Sequence, residues 1–584
     1  MSKEKLLVSI DVFDTAVFRD VFTPKELFLF LENKIGNDFY NIRTKAQITA
    51  GSKNPSYSII DIYNCMPRKF TPKDEILEEI KGTRANPDIL SFYNSNKEVY
   101  DFVFISDMYL PSSVIKMILE HAGYKNPLVF VSCEEGCTKG NGRLFRAVEE
   151  KLGRKIYKHI GDNYHVDIEG ARKAGILEVD YVGPAIYEKE TNIPLLREPK
   201  LRKLLIDNAF NSEISIEEKV GYTFAPLALL FTQTLLSSIP DDKTIFFNAR
   251  DSFIMYVIAR WILKTDKKVK YCRFSRKSVH LPYFKVNYDI LDVKNKKSTN
   301  FLHTLRANSL DDFLASIKIE CTKDLSEFLK KHNITMGTDL SFNLNRRNIF
   351  REFISLMKPE IYKRALEQKE CLKLYLQRLG MKQGDVFVDL GHYGSMQSIL
   401  QDMTGIRLQG EYIHLAKSIR DFLNDDAVKH SFLPLSFLMS NVGIVELIFS
   451  EPKGTISSYD ENGIPEIQKD LKFRNEITKK ILKGVFEGVK DILRKGIEVP
   501  YEDCIEIIKR FLFSPTVEEA EFANRKLFEN GSVVARESIV CYDRDMIKRG
   551  KAGECYSRSY WKPAFKVLLE NDPDYKHIRS ELKF

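Results

Sequence analysis

The chain has 584 residues, too many for one hydrophobic core, and its 43% hydrophobic and 29% charged content is that of a globular protein of several domains. A formal net charge of +8 over this length excludes a nucleic-acid footprint and fits an anionic substrate or an anionic surface. Nine cysteines, odd in number and without a CxxC pair, argue against a disulfide scaffold or zinc ribbon and for reduced thiols.

The start MSKEKLL lacks the long apolar region of a signal peptide, so the expected location is cytoplasmic. Leu6 to Ile10 reads as a buried parallel strand that runs into Asp11, with Asp14 and Thr15 on the following turn. A carboxylate there sits where open α/β sheets place their chemistry. No further strand is expected until about Val99. The interval holds helical signals opened by Thr23-Pro24, at Ser58 to Cys65, and at Asp74 to Lys81, which make 16–98 a helical insertion. Strand Phe102 to Ile105 then ends in Ser106-Asp107. Helix Ser112 to Ala122, strand Leu128 to Val131, a glycine-rich loop carrying Lys139, and helix Arg143 to Leu152 follow. Strand Lys158 to Ile160 ends in Gly161-Asp162-Asn163 and leads to helix Asp167 to Ala174. This alternation implies a parallel sheet over 1–190.

Residues 191–240 read as a linker and a buried helix; Tyr222 to Ile239 is uncharged, but Pro226 and several polar residues favour a buried helix over a membrane span. A second α/β domain is expected over 241–460. One strand ends in Arg250-Asp251 and another in Ser275-Arg276-Lys277. A helical insertion spans about 297–380, with Ser309 as its N-cap and Asp312 in its first turn. Strand Asp385 to Asp389 enters Gly391-His392-Tyr393-Gly394-Ser395, followed by helix Met396 to Met403, which carries Gln397, and strand Gln409 to Leu415. Asp389, Gly391, Gly394, Ser395 and Gln397 read either as a phosphate cradle or as a tight left-handed turn with an N-cap. Glu446 is a site residue or a helix-face acid. Residues 461–584 read as helical and basic. The run from Arg544 to Lys566 is a solvated face or a contact for an anionic lipid-linked glycan at the inner membrane surface.

The order Asp11, Ser106, Lys139 and GDxxxxD (Asp162 to Asp167) resembles the haloacid dehalogenase-like (HAD) hydrolase superfamily over roughly residues 5–185. The resemblance implies a Rossmann-like sheet with the insertion as its cap. It makes Asp11 a nucleophile that forms an aspartyl-phosphate. Asp11, the Phe13 carbonyl, Asp162 and Asp167 would be Mg²⁺ ligands or their close support. Ser106 would bond the phosphoryl oxygens and Lys139 would balance their charge. The chain departs from the family where an acid usually stands two residues after the nucleophile: that position is Phe13, and the acid is Asp14. Three readings stay open, namely Asp14 or Asp107 as the acid, a good leaving group, or a catalytically weak site.

The wording DVFDT, SDMYLP, GDN and AxxAGI looks like the large HAD-like proteins of bacterial surface-polysaccharide biosynthesis, which implies a sugar phosphate as substrate. The second domain weakly resembles phosphoribosyltransferases, although Leu390 stands where their second acid would be. A bifunctional enzyme is therefore expected. The second half would attach 5-phosphoribose from phosphoribosyl diphosphate to a polysaccharide, with Arg250, Asp251, Ser275, Arg276, Lys277, Asp389, Gly391, Gly394, Ser395, Gln397 and Glu446 at its site, and the first half would remove the phosphate. The alternatives are a single sugar phosphatase with a glycan- or partner-binding carboxyl half, and a non-catalytic assembly scaffold.

Overall fold

Leu6–Ile10 forms β1, exposed at Leu6 and buried from Leu7 onward, as a strand flanked on both sides must be. The structure is a computed structural model that describes residues 5–19, 24–36, 38–182, 192–287, 310–319, 323–338, 344–417, 427–438, 441–468, 472–524, 528–529 and 536–573. Two compact units are present: residues 1–210 with 497–506, and residues 211–496 with 507–584. Both are α/β, each built on a five-stranded parallel sheet.

In the first unit β1 is followed by β2 (Val17–Arg19), α1 (Pro24–Ile35), α2 (Phe39–Lys53), α3 (Ile59–Asn64), α4 (Lys73–Lys81), β3 (Thr83–Ala85) and α5 (Pro87–Ser95). The alternating part holds β4 (Tyr100–Ser106), α6 (Ser112–His121), β5 (Val129–Val131), α7 (Ser132–Glu135), α8 (Arg143–Leu152), β6 (Ile156–Gly161), a π-turn Tyr164–Ile168 running into α9 (Glu169–Ala174), and β7 (Glu178–Tyr181). The sheet order β5-β4-β1-β6-β7 is parallel throughout. Strands therefore leave β1 in both directions, and the ends of β4, β1 and β6 flank the crevice that such a reversal opens.

The insertion is helical, but it is not free of strands. β2 and β3 pair antiparallel, with Arg19 opposite Thr83, so the expectation of no strand before Val99 is corrected. Three-residue strands carry too little alternation to be read from sequence. α3 begins as expected, with a capping box in which the Ser58 hydroxyl accepts from the Asp61 amide and the Asp61 carboxylate accepts from the Ser58 amide. Arg43 and Glu75 form a fully buried bidentate pair inside the insertion, both hydrogen bonds 2.7 Å long, and the Tyr63 hydroxyl donates to Glu75 at 2.9 Å. Thr23 lies outside the described residues. The expected linker is helical in part, since α10 covers Pro199–Phe210.

The second unit opens with α11 (Ile216–Ser238) and continues with β8 (Thr244–Asn248), α12 (Phe253–Val257), β9 (Lys268–Cys272), α13 (Arg276–Asn287), α14 (Leu310–Ile317), α15 (Lys323–His332) and α16 (Leu344–Leu379). Then come β10 (Val386–His392), α17 (Ser395–Thr404), β11 (Gln409–Leu415), β12 (Val428–Ser431), α18 (Val442–Phe449), β13 (Ile456–Tyr459), β14 (Pro465–Ile467) and α19 (Lys472–Arg494). The parallel sheet runs β12-β11-β10-β8-β9. β13 and β14 form an antiparallel pair, so the region after 461 is not helical from its start. Ser309 and the side chain of Asp312 lie outside the described residues.

Among the described residues, α11 is the one helix long and apolar enough to cross a membrane, and 67% of its apolar window is buried inside the protein. Much of its cover is α19, which approaches through glycines. A Cβ on Gly484 would lie 2.0 Å from the Glu218 carbonyl oxygen, and one on Gly221 would lie 2.0 Å from that of Ile481. Gly484→Ala should therefore destabilise the protein by about 1–3 kcal/mol in thermal or denaturant unfolding. Gly553→Ala, which meets nothing within 4 Å, should be neutral or mildly stabilising.

Candidate active site

The ends of β1, β4 and β6 bring together Asp11, Ser106 and Asp162, and the loop before α8 adds Lys139. Asp11 follows β1 directly, and its amide donates to the Ile160 carbonyl at 2.9 Å, which ties it to β6. Lys139 is 3% exposed; its ammonium donates to Oδ1 of Asp11 and, at 2.5 Å, to Oδ1 of Asp167. The loop that carries it is fixed by Asp107, both of whose carboxylate oxygens accept from the Lys139 amide at 3.0 Å. The Thr15 hydroxyl donates to Asp162 at 3.1 Å and to Asp11 at 3.4 Å. Ser106 is 2% exposed, and its hydroxyl makes no hydrogen bond to any described residue.

Asp167 is placed by the π-turn. The Asn163 side chain caps it by accepting from the amides of His165 and Val166, and the Asn163 amide donates to Asp167 Oδ2 at 3.0 Å. Two glycines make room. A Cβ on Gly161 would lie 2.4 Å from that of Asp167, and a Cβ on Gly170 would lie 2.3 Å from the Lys139 carbonyl oxygen. Behind Asp167, His159 Nε2 lies 3.4 Å from Oδ1, and His159 Nδ1 lies 2.8 Å from the Ser9 hydroxyl. Neither His159 nor Ser9 is singled out by the motifs, because a strand-interior His reads as core.

Burial pushes the Asp11 carboxyl up to about 8; Lys139 opposes this, while Asp167 and Asp162 act with it. Asp162 is raised by burial and then by Asp167 and Asp14. Burial works against the charge of Asp167 too, but Lys139 and His159 hold it well below the ordinary aspartate value. Three carboxylates around one ammonium carry surplus negative charge. Asp11, Asp162 and Asp167 each offer an oxygen within 4.8 Å of the others, a hard-oxygen set with the donors for a metal ion. A divalent cation matches both the geometry and the missing charge.

Arg19 lies over the Phe13 ring at 3.8 Å and pairs with Glu79 at 3.1 Å. Asp14 has a left-handed backbone, φ 61°, and its charge acts on both Arg19 and Asp162.

The residues expected at a second site separate into two groups. Gln397 is fully buried: its amide donates to the Leu408 and Val428 carbonyls and accepts from the Tyr412 hydroxyl, so its bonding capacity is spent in the core. Gly394 is the left-handed residue before α17, and a Cβ there would meet the Lys429 stem at 2.9 Å and the Tyr412 hydroxyl at 3.1 Å. β10 itself runs through Gly391 to His392, so the turn between strand and helix is confined to Tyr393 and Gly394, with Ser395 as the first residue of α17. The Ser275 hydroxyl is committed to the Ile456 carbonyl at 2.5 Å and accepts from the Ser278 amide. Lys277 lies one position past the start of α13, on that helix. Arg250, Asp251, Arg276, Asp389 and Glu446 do act on one another, together with His392, which sequence reading passed over.

No family model matches the chain, and no curated protein matches it. Among solved structures, the crystal structure of a HAD phosphatase from Thermococcus onnurineus is similar at 15% sequence identity and a TM-score of 0.24. The match covers 32% of this chain and 90% of that one.

Folded Asp11 keeps its proton to about pH 8 while an unfolded aspartate releases it near pH 4, so the folded chain binds more protons between these values. Metal-free stability should therefore fall as pH rises through that window. Asp11→Asn should flatten this loss and raise the metal-free melting temperature at pH 8 by a few degrees. Equal pH slopes for variant and wild type in metal-free thermal unfolding would contradict the crowding of the three carboxylates.

Proposed function

We propose that the first unit is a Mg²⁺-dependent phosphatase of a sugar phosphate. The observation that carries this is the convergence of Asp11, Ser106, Lys139 and Asp162 at neighbouring strand ends, with Lys139 held between Asp11 and Asp167 and the Ser106 hydroxyl unbonded to described residues. Asp11, Asp162, Asp167 and the Phe13 carbonyl would hold Mg²⁺, which supplies charge neutralisation between a carboxylate and a phosphate.

In this reading an oxygen of Asp11 attacks phosphorus, the bond from phosphorus to the sugar oxygen breaks, and an aspartyl-phosphate forms. Lys139 balances charge on Asp11 and the transferred group, and Ser106 donates a hydrogen bond to a phosphoryl oxygen. The departing sugar oxygen takes a proton, and water then hydrolyses the acyl phosphate to release orthophosphate and restore Asp11. Asp14 is the acid we favour. Its charge acts on Asp162, whereas both oxygens of Asp107 are engaged in fixing the Lys139 loop.

With Mg²⁺ and a panel of sugar 5- and 6-phosphates, wild type should release orthophosphate and Asp11→Asn should release none. Ser106→Ala should lower kcat about 100-fold, by loss of a donor to the transferring group. Asp14→Asn should slow hydrolysis of a sugar phosphate and spare p-nitrophenyl phosphate, whose leaving group needs no proton. Asp107→Asn should slow both substrates alike, because it loosens the lysine loop. If wild type hydrolyses nothing in the panel, the phosphatase reading fails.

A second reading concerns the other unit: transfer of 5-phosphoribose from phosphoribosyl diphosphate to a glycan acceptor, leaving a phosphate for the first unit to remove. What favours it is the cluster of acid, base and guanidinium groups at the carboxyl edge of that sheet. Diphosphate release should then be lost in Asp389→Asn, and unchanged release would sink this reading.

A further inference from the structure

The sheet of the second unit reverses direction at one place. β8 has β9 on one side and β10 on the other, so the carboxyl ends of β8 and β10 open side by side at a switch point. Arg250 and Asp251 follow β8, and Asp389 and His392 belong to β10. His392 Nε2 lies 2.9 Å from Glu446 Oε1 on α18, and the His392 backbone is left-handed at φ 71°. His414 on β11 packs edge-on to His392 at 5.2 Å; it is 1% exposed, and its Nδ1 has no partner.

An ion network that serves structure alone closes its pairs, whereas here Arg276 is exposed and Arg250 half-buried. This cluster does not close. Arg250 and Arg276 act on Asp251 and Glu446 through their charge, yet neither guanidinium makes a hydrogen bond or an ion pair with a described residue. The carboxylate of Asp251 likewise accepts no hydrogen bond from a described residue. Two planar, permanently charged donors and one acceptor thus stand uncommitted at the place where open α/β sheets bind ligands. Two guanidinium groups suit a phosphate dianion, and carboxylate and imidazole groups beside them suit hydroxyls.

We propose that this edge is a second ligand site for a phosphorylated polyol, with Arg250 and Arg276 holding the phosphate and Asp251 with the His392–Glu446 pair accepting hydrogen bonds from its hydroxyls. The proposal rests on the transfer reading for its location only, and it requires binding without any turnover. Asp389 is the proton holder of the site. Burial and the neighbouring Asp251 push its carboxyl up to about 7, against hydrogen bonds from Asn248 at 3.2 Å and the Leu390 amide at 2.9 Å and against the charge of His392. Burial raises the Cys272 thiol beside it and pushes His414 and His280 down to about 3, which leaves these three neutral at pH 7. A phosphate brought against this cluster therefore favours proton uptake.

The test is calorimetric titration of the full chain carrying Asp11→Asn with glucose 6-phosphate at pH 7, in two buffers of different ionisation enthalpy. Two binding events per chain are expected. Arg250→Gln with Arg276→Gln should weaken one of them at least 10-fold, and Lys139→Met should remove the other. Proton uptake at the first event should fall in Asp389→Asn, leaving only the share of Asp251, whose carboxyl burial and Glu446 also raise. Should the double variant unfold, Arg276→Gln alone, at an exposed position, provides the same comparison. A single event insensitive to the arginines overturns the proposal. Inorganic phosphate binding there as tightly as glucose 6-phosphate overturns the hydroxyl contacts. Binding that persists while diphosphate release is absent leaves the site standing and removes only the transfer reading.

Discussion

One buried ammonium organises the first unit. Lys139 lies between Asp11 and Asp167 with almost no access to water, and such a charge is tolerable because the ionised Asp167 and the Asp11 carboxyl face it. Much of the surrounding backbone serves to keep it there. Asp107 grips the amide of Lys139, Gly170 lets its carbonyl come close, and Gly161 lets Asp167 reach back over the end of β6. The third carboxylate, Asp162, is surplus to this balance. Were the cluster only a stabilising device, the surplus acid would be a defect; in the proposed reading it is what draws a cation to the site.

The two units place a reversal beside their first strand by different strand orders: the first adds two strands on one side of β1 before crossing over, and the second adds only β9 beside β8 before crossing to β10. Each has a five-stranded parallel sheet whose strands leave a starting strand in both directions, and each gathers its ionisable side chains at the ends that face the resulting crevice. In each, a residue other than glycine takes a left-handed backbone at that edge: Asp14 after β1, and His392 at the end of β10. The chemical characters differ. The first cluster is dominated by carboxylates around one lysine, and the second mixes two guanidinium groups with acids and imidazoles.

The first sheet was legible because its strands are short apolar runs ending in polar residues, and because the spacing of Asp11, Ser106, Lys139 and Asp162 survives folding as proximity. The helices of the insertion showed through capping residues such as Ser58 and Asp61. α2 did not, since its buried positions include Arg43, Ala46 and Ala50, which give little apolar contrast. The second unit was legible as strands and helices but less so as a site. Gly391 reads from sequence as part of the loop after a strand, whereas β10 extends through it, and a Cβ there would collide with the His414 carbonyl oxygen at 1.7 Å. That extension is what presents His392 at the edge, and a lone His between two glycines carries no pattern that sequence alone can rank.

The short pairing of β2 with β3 sets where the helical insertion leaves and rejoins the sheet domain. Because Arg19 lies opposite Thr83, everything between them departs and returns at adjacent points, as a bracelet does at its clasp. The strands of the sheet do not sense how long that excursion is, since closing a loop whose ends are already joined costs little more as it lengthens. A change in the length of the inserted segment is accordingly expected to leave the register of β1 and the residues at its end in place.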